Sequence, residues 1–324
     1  MEFRGEYAYL SNMYTCTINI RINNFIYSFL NAEAAFQAMK CPERASEFIN
    51  LDGPSARKLG NKVLLRNDWE QEKVNFMRNV IYAKFIQNRN LLEKLCSTIG
   101  VIVESSKYGD KFWGVNANGI GENHLGLILT ELRDRFNNTL MVSFTGRRPK
   151  DLYGYNHDAY LQMVDAIKVN LRYLYSIGYR LFISGGAQGF DQLAFWAVNA
   201  LKREGYTDIR NIVYVPFVGQ QLAWKKTGLF SQAEYNLMLS LADEVYYLKI
   251  IDTNNKKQVI SALYDRNHAM VDTTNLTFGL YPDYSWQMES VKGGTAECLR
   301  YAHMKQNKIF QLSNESLLSQ MITF

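Results

Sequence analysis

Cysteine is sparse and scattered. Cys16, Cys41, Cys96 and Cys298 are the four in 324 residues, and no two share CxxC spacing. That pattern excludes a disulfide framework and points to reduced thiols in a cytosol. No apolar run approaches the roughly 20 residues a membrane-crossing helix needs, and no signal peptide is expected. The expectation is a soluble, cytoplasmic protein with no membrane partner. Lysine and arginine form no block, and the net charge of +5 is mild. Charge alone therefore does not choose between a phosphate-bearing small ligand and nucleic acid. His124, His157, His268 and His303 show no metal-ligand spacing, so no metal site is expected. Proline is scarce, at five residues.

What is present is ordinary globular composition, 47% apolar and 21% charged, in a chain long enough for two cores. The polar seam Asn137-Asn138-Thr139 separates a helical end from a strand, which divides the chain into domains 1–138 and 139–324. One stretch organises the first, Asn31 to Lys40, reading NAEAAFQAMK. At the helix period Glu33, Gln37 and Lys40 share one face, while Ala32, Phe36 and Met39 share the other and are expected to meet a core. Asn31 suits the N-cap.

Around it, Thr15 to Ile20 and Phe25 to Phe29, joined at Asn23-Asn24, predict a hairpin. Short helices are expected over Glu43 to Asn50 and Ser55 to Leu59, a long one from Glu70 to Gln87, another from Leu91 to Thr98, and a last one ending near Phe136. Val101 to Ser105 is a strand candidate. Phe3-Arg4-Gly5 with Leu10-Ser11-Asn12, Ala32-Glu33 with Phe36-Gln37-Ala38 and Lys40, Leu65-Arg66 with Asp68-Trp69, Trp113-Gly114, then Gly121, Asn123, Leu125, Gly126 and Arg133 follow one another in the order of the NADAR family, which this half resembles. Ala34 stands where that family usually has histidine, and Thr15 where it has proline. The resemblance implies a mainly α-helical domain that acts as an N-glycosidase on NAD or ADP-ribose derivatives, such as ADP-ribosylated guanine or riboflavin-pathway intermediates.

Breaking a ribosyl C–N bond builds positive charge on the sugar, and a carboxylate beside the anomeric carbon stabilises it and steers water. Glu33 is the candidate. Gln37 can hold a ribose hydroxyl or the leaving base, and Lys40 can bind diphosphate or protonate the base. Arg4 and Arg66 are candidate diphosphate clamps. Trp69 and Trp113 can stack on a base, and Asn123 can offer amides to an anion. Gly5, Ser11, Asn12, Asp68, Gly114 and Gly126 complete the expected substrate-binding set by resemblance.

The second half alternates strands and helices: strands at Leu140 to Thr145, Arg180 to Ser184, Asn211 to Pro216, Glu244 to Ile250, Leu276 to Tyr281 and from Ile309, with helices between them. Such alternation means a parallel sheet flanked by helices, an α/β Rossmann-like domain. Gly185-Gly186-Ala187-Gln188-Gly189 and Gly293-Gly294-Thr295 each follow a strand and open a helix, as a phosphate site requires. Neither matches GxGxxG or a P-loop. Thr145-Gly146-Arg147-Arg148-Pro149, Ser184-Gly185-Gly186 with Asp191, Arg266-Asn267 with Asp272, and Gly293-Gly294-Thr295 resemble the SLOG superfamily, nearest its DprA-like branch. That resemblance implies a nucleotide-type ligand held by these residues. Its phosphoribohydrolase branch carries PGGxGTxxE, from which Lys292 and Ala296 depart, leaving Glu297 as the one acid there.

The leading expectation is thus a hydrolase of N-glycosyl bonds whose second domain binds a nucleotide-derived small molecule. NAD or an ADP-ribose derivative is substrate or ligand, and no cofactor is expected. ADP-ribosylated nucleic acid is a further candidate partner, and a homo-oligomer stays open. The alternatives are a binding protein that sequesters an NAD-derived signal and a DNA-binding module. The pairing of domains suits phage conflict, with the protein phage-encoded and acting in a host cytoplasm.

Overall fold

A computed structural model describes residues 3–105, 110–155 and 158–319. The chain divides into two compact units, Met1–Asn138 and Thr139–Phe324.

The first unit opens with a 3-10 turn, Gly5–Leu10, and an antiparallel hairpin, β1 (Thr15–Ile22) and β2 (Phe25–Asn31). Ile22 pairs with Phe25, so the turn is two residues, and Asn23 takes the left-handed conformation (φ 54°) that such a turn demands. Asn31 ends β2 and caps the next element: its Oδ1 accepts from the Ala34 amide at 2.8 Å while its Nδ2 donates to the Leu51 carbonyl. That element, α1 (Ala32–Ala38), is buried on every side. A 3-10 turn at Pro42–Phe48 leads to α2 (Gly53–Gly60), α3 (Trp69–Gln87), α4 (Arg89–Cys96) and α5 (His124–Asn138), and α1 packs against α2 and α3. Helix accounts for 49% of the unit. The expectation of a mainly helical domain therefore narrows to a half-helical one with an antiparallel hairpin built in. Val101 to Ser105 forms no strand beyond an isolated bridge from Ser105 to Val115, because its backbone is held by a side chain described below.

Lys84 of α3 is fully buried, and its ammonium donates to the carbonyls of Tyr9 (2.6 Å) and Ser11 (2.8 Å). Burial draws its pKa down from 10.5 to about 8. These bonds tie the N-terminal segment, with Ser11 and Asn12, to the helix scaffold.

In the second unit β3 (Leu140–Gly146), β4 (Tyr179–Ser184), β5 (Arg210–Phe217), β6 (Glu244–Lys249), β7 (Leu276–Leu280) and β8 (Lys308–Leu312) form one parallel sheet in the order β6-β5-β4-β3-β7-β8. Around it stand α6 (Ala159–Ser176), α7 (Phe190–Arg203), α8 (Gln232–Leu241), α9 (Lys256–Asp272), α10 (Gly294–Met304) and α11 (Asn314–Ser319). The chain steps outward from β3 to β6, and α9 then returns it to β7 on the other side of β3. The loops leaving β3 and β7 diverge, creating the crevice where open α/β sheets bind ligands. Helix α9 begins where Asn255 caps the Lys257 and Gln258 amides. The main core packs Phe144, Phe182, Phe190 and Phe278 with aliphatic side chains of α6 and α7.

Replacing Lys84 by Met should leave the buried Tyr9 carbonyl unpaired, costing about 2 kcal/mol, while the Ser11 carbonyl keeps its bond from the Tyr14 amide. Hydrogen exchange of the Tyr9–Asn12 amides should speed up accordingly; unchanged protection would show that Lys84 does not anchor this segment.

Candidate active site and nucleotide cleft

Helix α1 carries its polar residues into the wall of a cavity of about 710 Å³ rather than into solvent. Glu33 is 3% exposed and Gln37 5%. Gln37 Nε2 donates to Glu33 Oε1 at 2.9 Å, and Arg57 of α2 grips the same carboxylate from Nε at 3.0 Å and Nη2 at 3.4 Å. The pair is one-sided, since the carboxylate is buried and the Arg57 side chain is 54% exposed. Lys40, just beyond α1, donates to the Gly60 carbonyl and lies 5.7 Å from the Trp69 ring centre. Burial lowers its pKa, with Glu33 opposing and Arg57 adding to the effect. Phe36 meets Trp69 and Trp113 at 5.2 and 5.3 Å between ring centres, giving the cavity an aromatic side.

A second carboxylate lines the same cavity. Glu104 follows the apolar run Val101 to Val103, and its backbone is clamped: its amide donates to Asn123 Oδ1 at 3.0 Å, and its carbonyl accepts from Val115 at 2.8 Å. Asn123, at φ 54°, also donates from Nδ2 to the Ile102 carbonyl. A Cβ on Gly114 would lie 2.4 Å from the Glu104 carbonyl oxygen, and one on Gly126 2.3 Å from that of Ile102. These glycines let two backbones approach Glu104 and its neighbour. Burial first, then the charges of Asp110 and Glu33, raise the Glu104 pKa to about 7, against the pull of Arg57. Asn12 Oδ1, Gln37 Oε1 and Glu104 Oε2 are buried and have no hydrogen-bond partner among the described residues, and all three side chains line this cavity.

Of the residues expected from sequence, Glu33, Gln37, Lys40, Arg4, Ser11, Asn12, Trp69 and Trp113 line the cavity. Gly5, Arg66, Asp68, Gly114, Asn123 and Gly126 do not. Arg66 and Asp68 pair with each other, and Arg66 covers the Phe76 ring. Asn123, Gly114 and Gly126 support the Glu104 segment rather than a ligand. Sequence reading missed Arg57, Glu104, Asp110 and Lys73 as cavity residues. The signal for Glu104 was an acid closing an apolar run nine positions before Trp113. For Arg57, on a short helix distant in sequence, there was none.

In the second unit a cavity of about 500 Å³ opens where the β3 and β7 loops part. Thr145, Gly146, Arg147, Arg148, Asp191, Arg266, Asn267, Gly293, Gly294 and Thr295 line it, with Lys150 and Lys292. The first turn of α10 opens on it, and Thr295 Oγ1 donates to the Gly146 carbonyl at 2.7 Å. Arg266 is buried and pairs with Asp191 at 3.5 Å. Burial raises the Asp191 pKa, against Arg266 and Arg148, and lowers that of Arg148. Five expected residues lie elsewhere. Ser184 Oγ donates to the Asp191 carbonyl and caps the Gly186 amide. Gly185 has the Arg266 guanidinium against its Cα, and Gly186 packs on Tyr235 and Met238. Asp272 accepts from Tyr301, and Glu297 pairs with His268. Among the described residues no group of three or more His, Cys, Asp or Glu could hold a metal ion, and no helix is long and apolar enough to cross a membrane; His157 lies outside them.

Fold and sites define a two-unit protein: an α/β unit with a cleft at its switch point, preceded in sequence by a unit with a buried and a half-buried glutamate on a second cleft. The YspA SLOG family model matches residues 142–317 and the NADAR domain model residues 2–137; the chain belongs to the YspA SLOG family and carries a NADAR domain before it. It is 32% identical over 127 residues to YoqJ, an uncharacterized SPbeta prophage-derived protein of Bacillus subtilis, covering 37% of this chain and 68% of that one. It is 37% identical over 82 residues to an N-glycosidase of Nostoc punctiforme, covering 25% of this chain and 51% of that protein, so the match spans about half of the relative's length. The solved structure of YbiA from E. coli aligns with 28% identity over 42% of this chain and 83% of that one, at a TM-score of 0.37.

Gly114→Ala should force the Glu104 segment outward, at about 1–3 kcal/mol. The Val115 amide should lose hydrogen-exchange protection while second-unit amides keep theirs; full protection at Val115 would mean the two backbones have room to spare.

Proposed function

We propose that the first unit hydrolyses the N-glycosidic bond of an ADP-ribose-type substrate, and that the second binds a nucleotide-type ligand that recruits or regulates it. The observation that carries the reading is the Glu33 carboxylate, buried in the wall of a cavity of nucleotide size beside three unpartnered polar atoms. A ribose offers hydroxyls to the polar side chains of Asn12 and Gln37 in the cavity wall. The cations Arg4, Lys40, Arg57 and Lys73 suit a diphosphate, and Trp69 and Trp113 suit a base. As the C–N bond lengthens, positive charge spreads over the ring oxygen and anomeric carbon, and Glu33 faces it as a fixed counter-charge that also takes the proton of the attacking water. Arg57, half in solvent, holds Glu33 through Nε and Nη2 and has Nη1 left for a phosphate. The N-glycosidase name of the Nostoc relative agrees with this chemistry, and the prophage origin in the name of YoqJ agrees with a phage setting. In the second unit the arginine loop after β3 and the α10 amides suit a phosphate.

A second reading is a protein that only binds such a ligand. It is favoured by the two contacts of Arg57 on Glu33, which leave the carboxylate neutralised.

Incubation with NAD, ADP-ribose conjugates and ADP-ribosylated guanine nucleic acid, read by mass spectrometry, separates the two. Catalysis predicts base release by the native chain and a loss of about 10²-fold or more in Glu33→Gln, since one preorganised electrostatic partner is worth that much. Tight binding with ligand recovered intact would establish the second reading. In the other unit, Arg147→Met should weaken nucleotide binding about 10- to 100-fold, as expected for one hydrogen bond to a charged group; unchanged affinity by calorimetry would remove the β3 loop from that site.

A further inference from the structure

We infer that Glu104 is the proton donor to the departing base, and that the site is therefore built for neutral N-linked bases, which must be protonated to leave, rather than for cationic ones such as nicotinamide. This rests on the N-glycosidase reading of the first cavity. The two carboxylates of that cavity have opposite surroundings. Glu33 is engaged by Arg57 and Gln37, so its oxygens are met by donors. Glu104 keeps Oε2 buried, with no hydrogen-bond partner among the described residues, and its backbone is fixed by Asn123 and Val115. An unpartnered buried carboxyl is stable in its protonated form, which is the form that donates. The groups that act on it are Asp110 and Glu33, which favour the proton, and Arg57 from α2, which opposes it; Arg4, Lys40 and Lys73 line the same cavity. A carboxyl titrating near 7 suits a general acid at neutral pH.

The step balances as follows. The C1′–N bond breaks and its electron pair stays on the base nitrogen. The Glu104 carboxyl passes its proton to the base, which leaves neutral. Water adds its oxygen to C1′ and gives a proton to Glu33, and exchange with solvent then resets both carboxyls. A nicotinamide leaving group already carries a positive charge and departs neutral without that proton.

The test uses the full chain and a pair of substrates sharing the ADP-ribose part, one with a neutral N-linked purine and one with nicotinamide, over pH 5 to 9. With the neutral base, wild-type kcat should fall as pH rises through about 7, because the donor loses its proton. Glu104→Gln should lose that alkaline limb and about 10²- to 10⁴-fold in kcat on the purine substrate. Its loss on nicotinamide should be at least tenfold smaller than on the purine, because that base leaves without a donated proton. Glu104→Asp should keep the alkaline limb, which distinguishes proton donation from support of the fold. An alkaline limb retained in Glu104→Gln and lost in Lys40→Met would pass the role to Lys40 and overturn the inference, as would equal losses on both substrates. Base release by wild type with Glu104→Gln unaffected would overturn this inference alone. No base release from any substrate would overturn the N-glycosidase reading and this inference with it.

Discussion

A carboxylate taken out of water must be met by charge and hydrogen bonds, or it takes up a proton. The first unit meets that constraint twice in one cavity, with opposite results. Glu33 is compensated by Arg57 and Gln37, and Glu104 is left with an uncompensated oxygen. Much of the surrounding structure follows from placing the two. Asn31 starts α1 at the end of β2, and Lys84 holds the N-terminal segment that brings Asn12 to the cavity. Asn123 with Gly114 and Gly126 clamps the chain that carries Glu104.

The sequence made the centre of this arrangement legible but not its environment. The helical period around Glu33, Gln37 and Lys40 placed three polar groups on one face, and the structure keeps them together. Period alone does not tell a solvated face from one that lines a cavity, and every residue of α1 is buried. The remaining pieces are contacts between segments far apart in sequence. Arg57 reaches Glu33 across 24 positions, and Asn123 reaches Glu104 across 19. Glycines and an asparagine that read as substrate contacts are the means of close backbone approach, a role only the three-dimensional neighbours disclose.

The second unit shows the same division. Alternation of strand and helix is a local pattern, and the parallel sheet follows it closely. Which loop residues face the cleft depends on strand order. Because β7 lies beside β3, the arginines after β3 and the glycines before α10 share one cavity. Ser184, Gly185 and Gly186 end a different strand and pack inward, so from that glycine loop it is Ala187, with Asp191 beyond it, that reaches the cavity. Asp272 and Glu297 are engaged by Tyr301 and His268 and do not line that cavity.

The central claim is that Glu33 faces the anomeric carbon of a bound ribose. It is tested most directly by a crystal structure of the Glu33→Gln chain soaked with an ADP-ribosylated purine. The account predicts intact substrate in the first cavity, its anomeric carbon within contact of the side chain at position 33, its base toward Trp69 and Trp113 and its diphosphate on Arg4, Lys40 or Arg57. A ligand seated with its ribose remote from position 33, or binding only in the second unit, would contradict it.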